Sequence, residues 1–525
     1  MDQPSIAIFS GPNATIANSP PLVTSNKSRL PGERKIPGRY DHLVPQLLYE
    51  SVTVKIRKFT AHPLEKDASE VYHDDGKEYY EVTLAPEDGP YLLPYMARRK
   101  DGSKSGVPFE ASDMWNPILG FGGRQFFYPD ASRIFEDIDR TISGRSADGE
   151  GSTLDRKGVQ FDFVRVLPPG GYTKKGEIAG VDYFPYRPEP IAKIIRAQDL
   201  ARAANLVQSS LGSGKYRGGI WLDGSPQLEE SMYWLSLLVD TNLPIAGIAA
   251  QRPHGELSND GDRNILDAVD YVLSGAGDGL GAVGIQDQVI FASREFKKAD
   301  ARPGNYKVTG GHGGILGSVK DGVTIWYKPN YKHTHASDVN LQKLPKSVTL
   351  SDGSEYMTKN PDGSLIPERI PRVRIIKYAS YSQETESDDP SHETDIMGWI
   401  DESLRDQASE SEKVPKLHGL VFEGLSPYAV GGQSHYKALS CVAASGIPVV
   451  RVGRSDPGGR VITDPRDLTI EGSNLDSTKA RLLLIATMLK LGGFPRSKNP
   501  LNPSNEERNQ ITSKAAEFQK IFETH

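Results

Sequence analysis

One run limits what this chain can fold into more than any other: Gly218-Gly219-Ile220-Trp221-Leu222-Asp223-Gly224-Ser225-Pro226-Gln227-Leu228-Glu229-Glu230-Ser231. Its first five residues are short and apolar and stop at Asp-Gly, which predicts a strand ending in a tight loop. A helix is predicted next, because Leu228, Met232, Leu235 and Val239 recur at i, i+4, i+7 and i+11, one stripe of a 3.6-residue period. Pro226 suits the first turn of such a helix. Ser225 is therefore a hydroxyl at a strand-to-helix junction. Ligands of open α/β sheets sit there, outside the carboxyl ends of the strands and near helix N-termini. Read from these residues alone, Ser225 is either a helix cap or a reacting group.

A longer pattern separates the two readings. After the helix come Thr241-Asn242-Leu243-Pro244-Ile245-Ala246-Gly247-Ile248-Ala249-Ala250-Gln251-Arg252-Pro253, Ser258-Asn259-Asp260-Gly261 and Asn264-Ile265-Leu266-Asp267-Ala268-Val269. In order and spacing these resemble the asparaginase/glutaminase family of amidohydrolases, whose pattern reads H-G-T-D-T-x-E-E-T, strand, x-R-P, S-x-D-G, N-x-x-x-A-V. Within it the family's Thr-Asp pair stands as Ser225-Pro226 and its His as Asp223. The resemblance implies a divergent two-domain asparaginase-like α/β fold, with a larger N-terminal and a smaller C-terminal parallel-sheet domain.

Composition sets the outer bounds. The 525 residues suffice for two or three domains with substantial cores. A net charge of -6 gives no electrostatic reason to expect nucleic acid or an anionic membrane. The single cysteine, Cys441, excludes an internal disulfide framework and a thiolate metal cluster, and its helical setting predicts a buried structural thiol. Met1-Asp2-Gln3-Pro4 opens no basic-then-apolar leader, and no apolar run nears the ~20 residues of a membrane span, so a soluble cytoplasmic chain is expected.

In chain order, Ile6 to Phe9 predict a strand, and the following Ser10-Gly11-Pro12-Asn13-Ala14-Thr15-Ile16-Ala17 is similar to the family's T-G-G-T-I-A turn. The resemblance places Thr15 on the nucleophile and offers Tyr40, at the end of the loop from Asn18 to Arg39, as the assisting tyrosine. A hydroxyl needs such a partner, being a poor nucleophile at neutral pH. Tyr40 is equally a tyrosine covering the core. Residues from about 52 to 180 match nothing in the family pattern. Short β-like runs at Val52 to Lys55, Tyr80 to Leu84 and Val159 to Val166, a helix candidate around Ile134 to Ile142 and crowded aromatics from Trp115 to Tyr128 read as a mainly β insertion. The family pattern resumes at Ile194-Ile195-Arg196-Ala197-Gln198-Asp199, similar to the I-G-S-Q-D element that grips the substrate's carboxylate and amine. This implies substrate-binding roles for Gln198 and Asp199, while Arg196 is either an anion fork or a solvated surface arginine.

Farther on, Gly275 to Gly281 reads as a connection rather than a dinucleotide site. Val289 to Ala292 predicts a buried strand. The run Ser293-Arg294-Glu295-Phe296-Lys297-Lys298-Ala299-Asp300 then resembles the family's G-R-x-V-T-K-T, setting Lys298 on the catalytic lysine; the alternative is a surface Lys-Lys pair. Gly314 to Gly317 matches a G-P-L-G segment before a strand. His333-Thr334-His335 has no third ligand at metal spacing and reads as a polar loop. Domains are expected at 1–343 (with the insertion) and 369–525, joined by a linker over 344–368 rich in Asp, Gly, Pro and Ser. In the second, Val373 to Tyr378, His418 to Gly424, the helix around His435 to Ala444 and Ile447 to Ser455 predict a right-handed parallel crossover. The Lys479 to Leu484 helix follows, then a final helix with Ile511, Ala515, Phe518 and Phe522 on one stripe.

The departures bear on substrate. Proline at 226 carries neither charge nor N–H, so the family's carboxylate for the substrate's α-ammonium is lost; Ala197 removes a hydroxyl from its carboxylate site. Expected is an amidohydrolase acting on a non-standard amide such as a lactam, cyclic imide or secondary amide, with Thr15 as nucleophile or Ser225 activated by Lys298. Gly224 and its turn are expected to lend backbone N–H groups to an oxyanion, and Asp223 or Asp300 to replace the missing carboxylate. No cofactor or metal is expected. The resemblance implies a homodimer or homotetramer with its site near a subunit interface. Two other classes stay open: a catalytically silent scaffold subunit, and an amidotransferase subunit delivering ammonia.

Overall fold

The computed structural model describes residues 196–525, apart from 252–259, 303, 310–311, 380–387, 427 and 455–467, together with Gly11 and six strands N-terminal to residue 196. Thr15, Tyr40, the aromatics from Trp115 to Tyr128 and the helix candidate around Ile134 lie outside the described residues.

The N-terminal strands are β1 (Ser5–Ser10), β2 (Leu43–Gln46), β3 (Val52–Ile56), β4 (Tyr80–Leu84), β5 (Tyr91–Pro94) and β6 (Gln160–Arg165). The expected runs at Val52 to Lys55 and Tyr80 to Leu84 form the antiparallel pair β3 with β4, and a second antiparallel pair joins β2 to β5. One boundary changes: β6 pairs parallel with β1, so the last run read as insertion is a strand of the main sheet. A one-sided motif search misses such a strand, because its role is set by a neighbour far away in the chain.

Next come α1 (Ala197–Leu211), β7 (Gly218–Leu222), α2 (Leu228–Leu238), β8 (Ile245–Ile248), α3 (Gly261–Ser274), β9 (Ala282–Gln286), β10 (Val289–Ala292), β11 (Phe296–Lys298), β12 (Tyr306–Val308), β13 (Ile315–Ser318) and β14 (Thr324–Ile325). The main sheet runs β14-β13-β10-β9-β8-β7-β1-β6; its half from β9 to β6 is parallel, and β10, β13 and β14 add antiparallel edges. Both faces are buried, as parallel strands require. On one face Ile6, Ile8, Ile220, Leu222, Ala246 and Ile248 meet α3. On the other, Ala7, Phe9, Trp221 and Ile245 meet α1 and α2. The predicted α2 stripe, Leu228, Met232, Leu235 and Val239, is the part that lies on this sheet.

The segment read as a linker is folded. It forms a hairpin of β15 (Ser347–Thr349) and β16 (Glu355–Met357), and Leu344, Val348, Leu350, Tyr356 and Leu365 are buried. The Asp-Gly and Pro-Asp-Gly signals mark its turns; the apolar residues between them carry the packing. The second sheet, β17 (Arg372–Lys377), β18 (His418–Gly424), β19 (Val449–Gly453) and β20 (Ile470–Glu471), is wholly parallel. Its helices are α4 (Thr394–Ala408), α5 (Gln433–Ala444), α6 (Ser477–Leu491) and α7 (Asn505–Thr524). Cys441 is buried in α5, and the α7 stripe is buried as predicted. One apolar cluster joins this unit to Ala201 and Ala204 of α1 and to Tyr233, Trp234, Leu237 and Leu238 of α2. No described helix is long and apolar enough to cross a membrane.

The two units are also tied at His525, which is fully buried. Its backbone oxygen accepts from Arg294 Nε at 2.6 Å and its Nε2 accepts from the Asp338 N–H at 2.8 Å. Burial pushes the imidazole down to about 4 from its ordinary value of 6.5. Between those values the unfolded chain binds the proton and the folded one does not. Stability is therefore expected to fall as pH drops from about 6.5 toward 4, by roughly 3 kcal/mol from this group. Urea titrations at a series of pH values check this, with His525→Gln expected to flatten that part of the profile.

Candidate active site

Ser225 follows β7 at the carboxyl edge of the main sheet, in a turn that opens α2. Asp223 fixes that turn. Its side chain is 1 % exposed; Oδ2 accepts from Trp221 Nε1 at 2.8 Å and Ser231 Oγ at 2.5 Å, while Oδ1 accepts from the Gly224 N–H at 2.8 Å. The carboxylate thus spans strand, turn and helix. Gly11, just past β1, donates its N–H to the Leu222 carbonyl at 2.7 Å. A Cβ there would lie 2.9 Å from Asp223 Cγ, so only glycine permits the approach.

Opposite the turn stands the two-stranded ribbon of β11 and β12, in which Lys298 is paired directly with Tyr306. Residues opposite each other in an antiparallel pair project to one face. Both reach Ser225: Lys298 Nζ lies 2.6 Å from Ser225 Oγ, and Tyr306 Oη donates to the Ser225 carbonyl at 3.1 Å. The ribbon is held to the core by Phe296, which is fully buried, stacks on Tyr306 at 4.7 Å and meets Phe291 at 5.3 Å. From α2, Glu229 Oε2 accepts the backbone N–H of Lys298 at 2.5 Å.

Burial lowers the Lys298 pKa from its ordinary value, opposed by the carboxylates of Glu229, Asp260 and Asp300, which favour the ammonium. Burial likewise raises Glu229, opposed chiefly by the ammonium of Lys479. Lys298 Nζ donates to Ser225 Oγ in this structure, and on losing a proton the same amine could accept from that hydroxyl at the same distance.

Other residues singled out from the sequence are placed differently, and Asp223 is the clearest correction. Its carboxylate is committed inside the protein and is not free to replace the lost one, whereas the carboxylate of Asp300 is open to solvent and pairs with Arg302 Nη2 at 2.6 Å. The oxyanion expectation also narrows. The Gly224 N–H goes to Asp223, the Gln227 N–H to the Gly224 carbonyl at 3.0 Å, and Pro226, which is exposed, has none. Among the described residues, that turn keeps the Ser225 N–H. At the start of α1, Asp199 accepts from the Arg196 N–H at 2.9 Å and from Arg202 Nη1 at 2.8 Å, closing the helix terminus. Arg196 is exposed and Gln198 partly so. Among the described residues no hydrogen bond or ion pair links Arg196, Gln198 or Asp199 to Ser225 or Lys298. His333 and His335 bond to Tyr331, Gly279 and Asp240, and no described cluster has the makings of a metal site.

Comparison with known proteins bears on the segment that carries this site. The family profile described as "Asparaginase, N-terminal" matches residues 191–331, the segment that carries both Ser225 and Lys298. That segment is an asparaginase-type domain. The chain is 28% identical over 207 residues to a glutaminase-asparaginase of Acinetobacter glutaminasificans, covering 39% of this chain and 60% of that protein. It is 22% identical over 295 residues to L-asparaginase 2 of Bacillus subtilis (strain 168), covering 55% and 66%. The chain thus spans about three fifths to two thirds of the length of these relatives. A solved structure of a probable cytoplasmic L-asparaginase from Campylobacter jejuni is 18% identical and superposes with a TM-score of 0.46 over 63% of this chain and 87% of that one.

Sequence reasoning passed over Glu229 and Tyr306. Glu229 was visible as the first Glu of the family's E-E pair; Tyr306 had no signal, since its role depends on strand pairing. The turn yields a prediction. Asp223→Ala strands the indole, hydroxyl and amide donors now bonded to one buried carboxylate, and is expected to cost about 3–5 kcal/mol. Thermal unfolding followed by circular dichroism measures this.

Proposed function

We propose that this asparaginase-family chain is an amidohydrolase whose reacting pair is Ser225 and Lys298, acting on an amide other than free asparagine or glutamine. The 2.6 Å contact between Lys298 Nζ and Ser225 Oγ carries the reading. The neutral amine takes the serine proton as Oγ bonds to the amide carbon. The Ser225 N–H faces the developing oxyanion, and the new ammonium returns its proton to the departing nitrogen as the C–N bond breaks. Water then attacks the acyl-serine with Lys298 again as base, giving a carboxylic acid and an amine. Thr15, the hydroxyl that the family resemblance puts in the nucleophile's place, is the competing candidate.

The substrate class follows from charge. A buried substrate ammonium without a carboxylate partner forfeits several kcal/mol, roughly 10³ in affinity. Residue 226 is a proline, the carboxylate of Asp223 is bonded inside the protein, and that of Asp300 is open to solvent and paired with Arg302. Lactams, cyclic imides and secondary amides need no such partner. A cytoplasmic location and a homo-oligomer with its site near a subunit interface are proposed on the family resemblance alone.

Release of ammonia or amine from a panel of these compounds, with free asparagine and glutamine included, tests the proposal. Ser225→Ala and Lys298→Met are each expected to lower kcat/KM about 10³-fold or more. The wild-type profile should rise with pH up to a midpoint below that of an ordinary lysine, because the base works deprotonated. Full activity in Ser225→Ala with none in Thr15→Ala would transfer the nucleophile's role to Thr15. Silence across the panel would leave a scaffold subunit, and ammonia released only with a partner present an amidotransferase. A further expectation concerns specificity: Pro226→Asp should gain measurable turnover of free asparagine.

A further inference from the structure

Lys479 is the most buried cation among the described residues, at 1 % exposure, and the proposed reaction does not use it. It rises from the first turn of α6, in the C-terminal unit, yet its ammonium lies in the N-terminal one. There it donates to the carbonyl of Arg294 at 2.9 Å and to that of Phe296. Those carbonyls belong to the bend into β11 and to β11's first residue, two positions before Lys298. The carboxylates of Asp476, Glu229 and Glu295 offset its charge. Asp476 caps α6 through the Lys479 N–H at 2.9 Å and lies 3.7 Å from Lys297 Nζ. Beside this, Arg481 Nη2 bonds Glu230 at 2.7 Å, one residue from the carboxylate that holds the Lys298 amide. A cation buried this deeply persists only where fixed dipoles and charges receive it.

We infer that Lys479 and Glu229 form a clamp between the two units that positions β11, so that docking of the C-terminal unit sets the placement of Lys298 against Ser225. Lys479 grips the strand by the Phe296 carbonyl, and Glu229 grips it by the Lys298 N–H. Burial pushes the ammonium and the carboxylate each toward the neutral form, and their mutual attraction opposes it. Lys479 is thus a positioning residue whose effect reaches the reacting pair through main chain, never touching substrate. The inference takes from the functional reading only the importance of Lys298, and its test requires no substrate.

The full-length protein is labelled with trace acetic anhydride across a pH series, and acetylation at Lys298 is resolved from Lys297 by peptide mass spectrometry. Exposed Lys320 serves as the internal standard. In wild type the Lys298 midpoint should lie below that of Lys320. In Lys479→Met, β11 loses its grip, Lys298 gains solvent, and its midpoint should rise toward that of an ordinary lysine. Lys479→Gln, which keeps N–H donors for the carbonyls, should recover part of that shift. An unchanged Lys298 midpoint in a folded Lys479→Met protein would overturn the clamp. If neither variant folds, the residue is a structural requirement only, and that too would overturn it. A shifted midpoint in a protein that hydrolyses no amide would leave the clamp standing and remove the proposed function.

Discussion

The structure turns on a helix that is apolar on both sides. Leu228, Met232, Leu235 and Val239 of α2 lie on the main sheet, while Tyr233, Trp234, Leu237 and Leu238 lie in the core of the second unit. Each such side chain removes enough surface from water to contribute about 1.5–3 kcal/mol. An eleven-residue helix buried on two faces cannot rotate or slide without exposing one of them. Ser225 opens the turn into this helix, so its hydroxyl inherits that rigidity. A reactive group at the end of a fully packed element is placed more closely than one on a free loop.

Lys298 reaches the same rigidity by another route. Its strand has three residues and one neighbour strand, too little to hold itself. It is fixed by Phe296 packed beneath it, by Tyr306 across the ribbon, and by Glu229 and Lys479 bonded to its backbone. Here the polar bonds carry what apolar area carries for α2. Burying a lysine and a glutamate is costly, and the low-dielectric setting that imposes the cost also makes their mutual attraction and their bonds to backbone strong.

Much of this was legible in the chain, for physical reasons that differ by residue. The β7-turn-α2 unit follows from a period of 3.6 after an Asp-Gly stop, and those signals are local. The crossover of the second sheet was equally plain from its apolar runs. Lys298 was found by its motif context rather than by chemistry, since a Lys-Lys pair on a three-residue strand has no pattern of its own. Tyr306, Lys479 and the place of strand β6 in the main sheet share one property: each depends on pairing or burial across a long sequence separation, which no local window contains. The hairpin at 347–357 was missed for the opposite reason, because strong turn residues masked the apolar ones between them.

Proline at 226 joins specificity to basicity. On the proposed reading, a carboxylate at that position would give a substrate ammonium its partner and would add a negative charge to the turn that carries Ser225. A negative charge within ~4–6 Å stabilises the ammonium form of a lysine and raises its pKa. Without it, burial is the leading influence on Lys298, and it acts downward. On the same reading, a proline at 226 leaves a substrate ammonium without a partner and adds no charge to oppose the effect of burial on Lys298. The proposed reacting pair and the proposed substrate class are thereby tied to one position, because the charge that would anchor an amino-acid head group is also one that would hold the amine protonated.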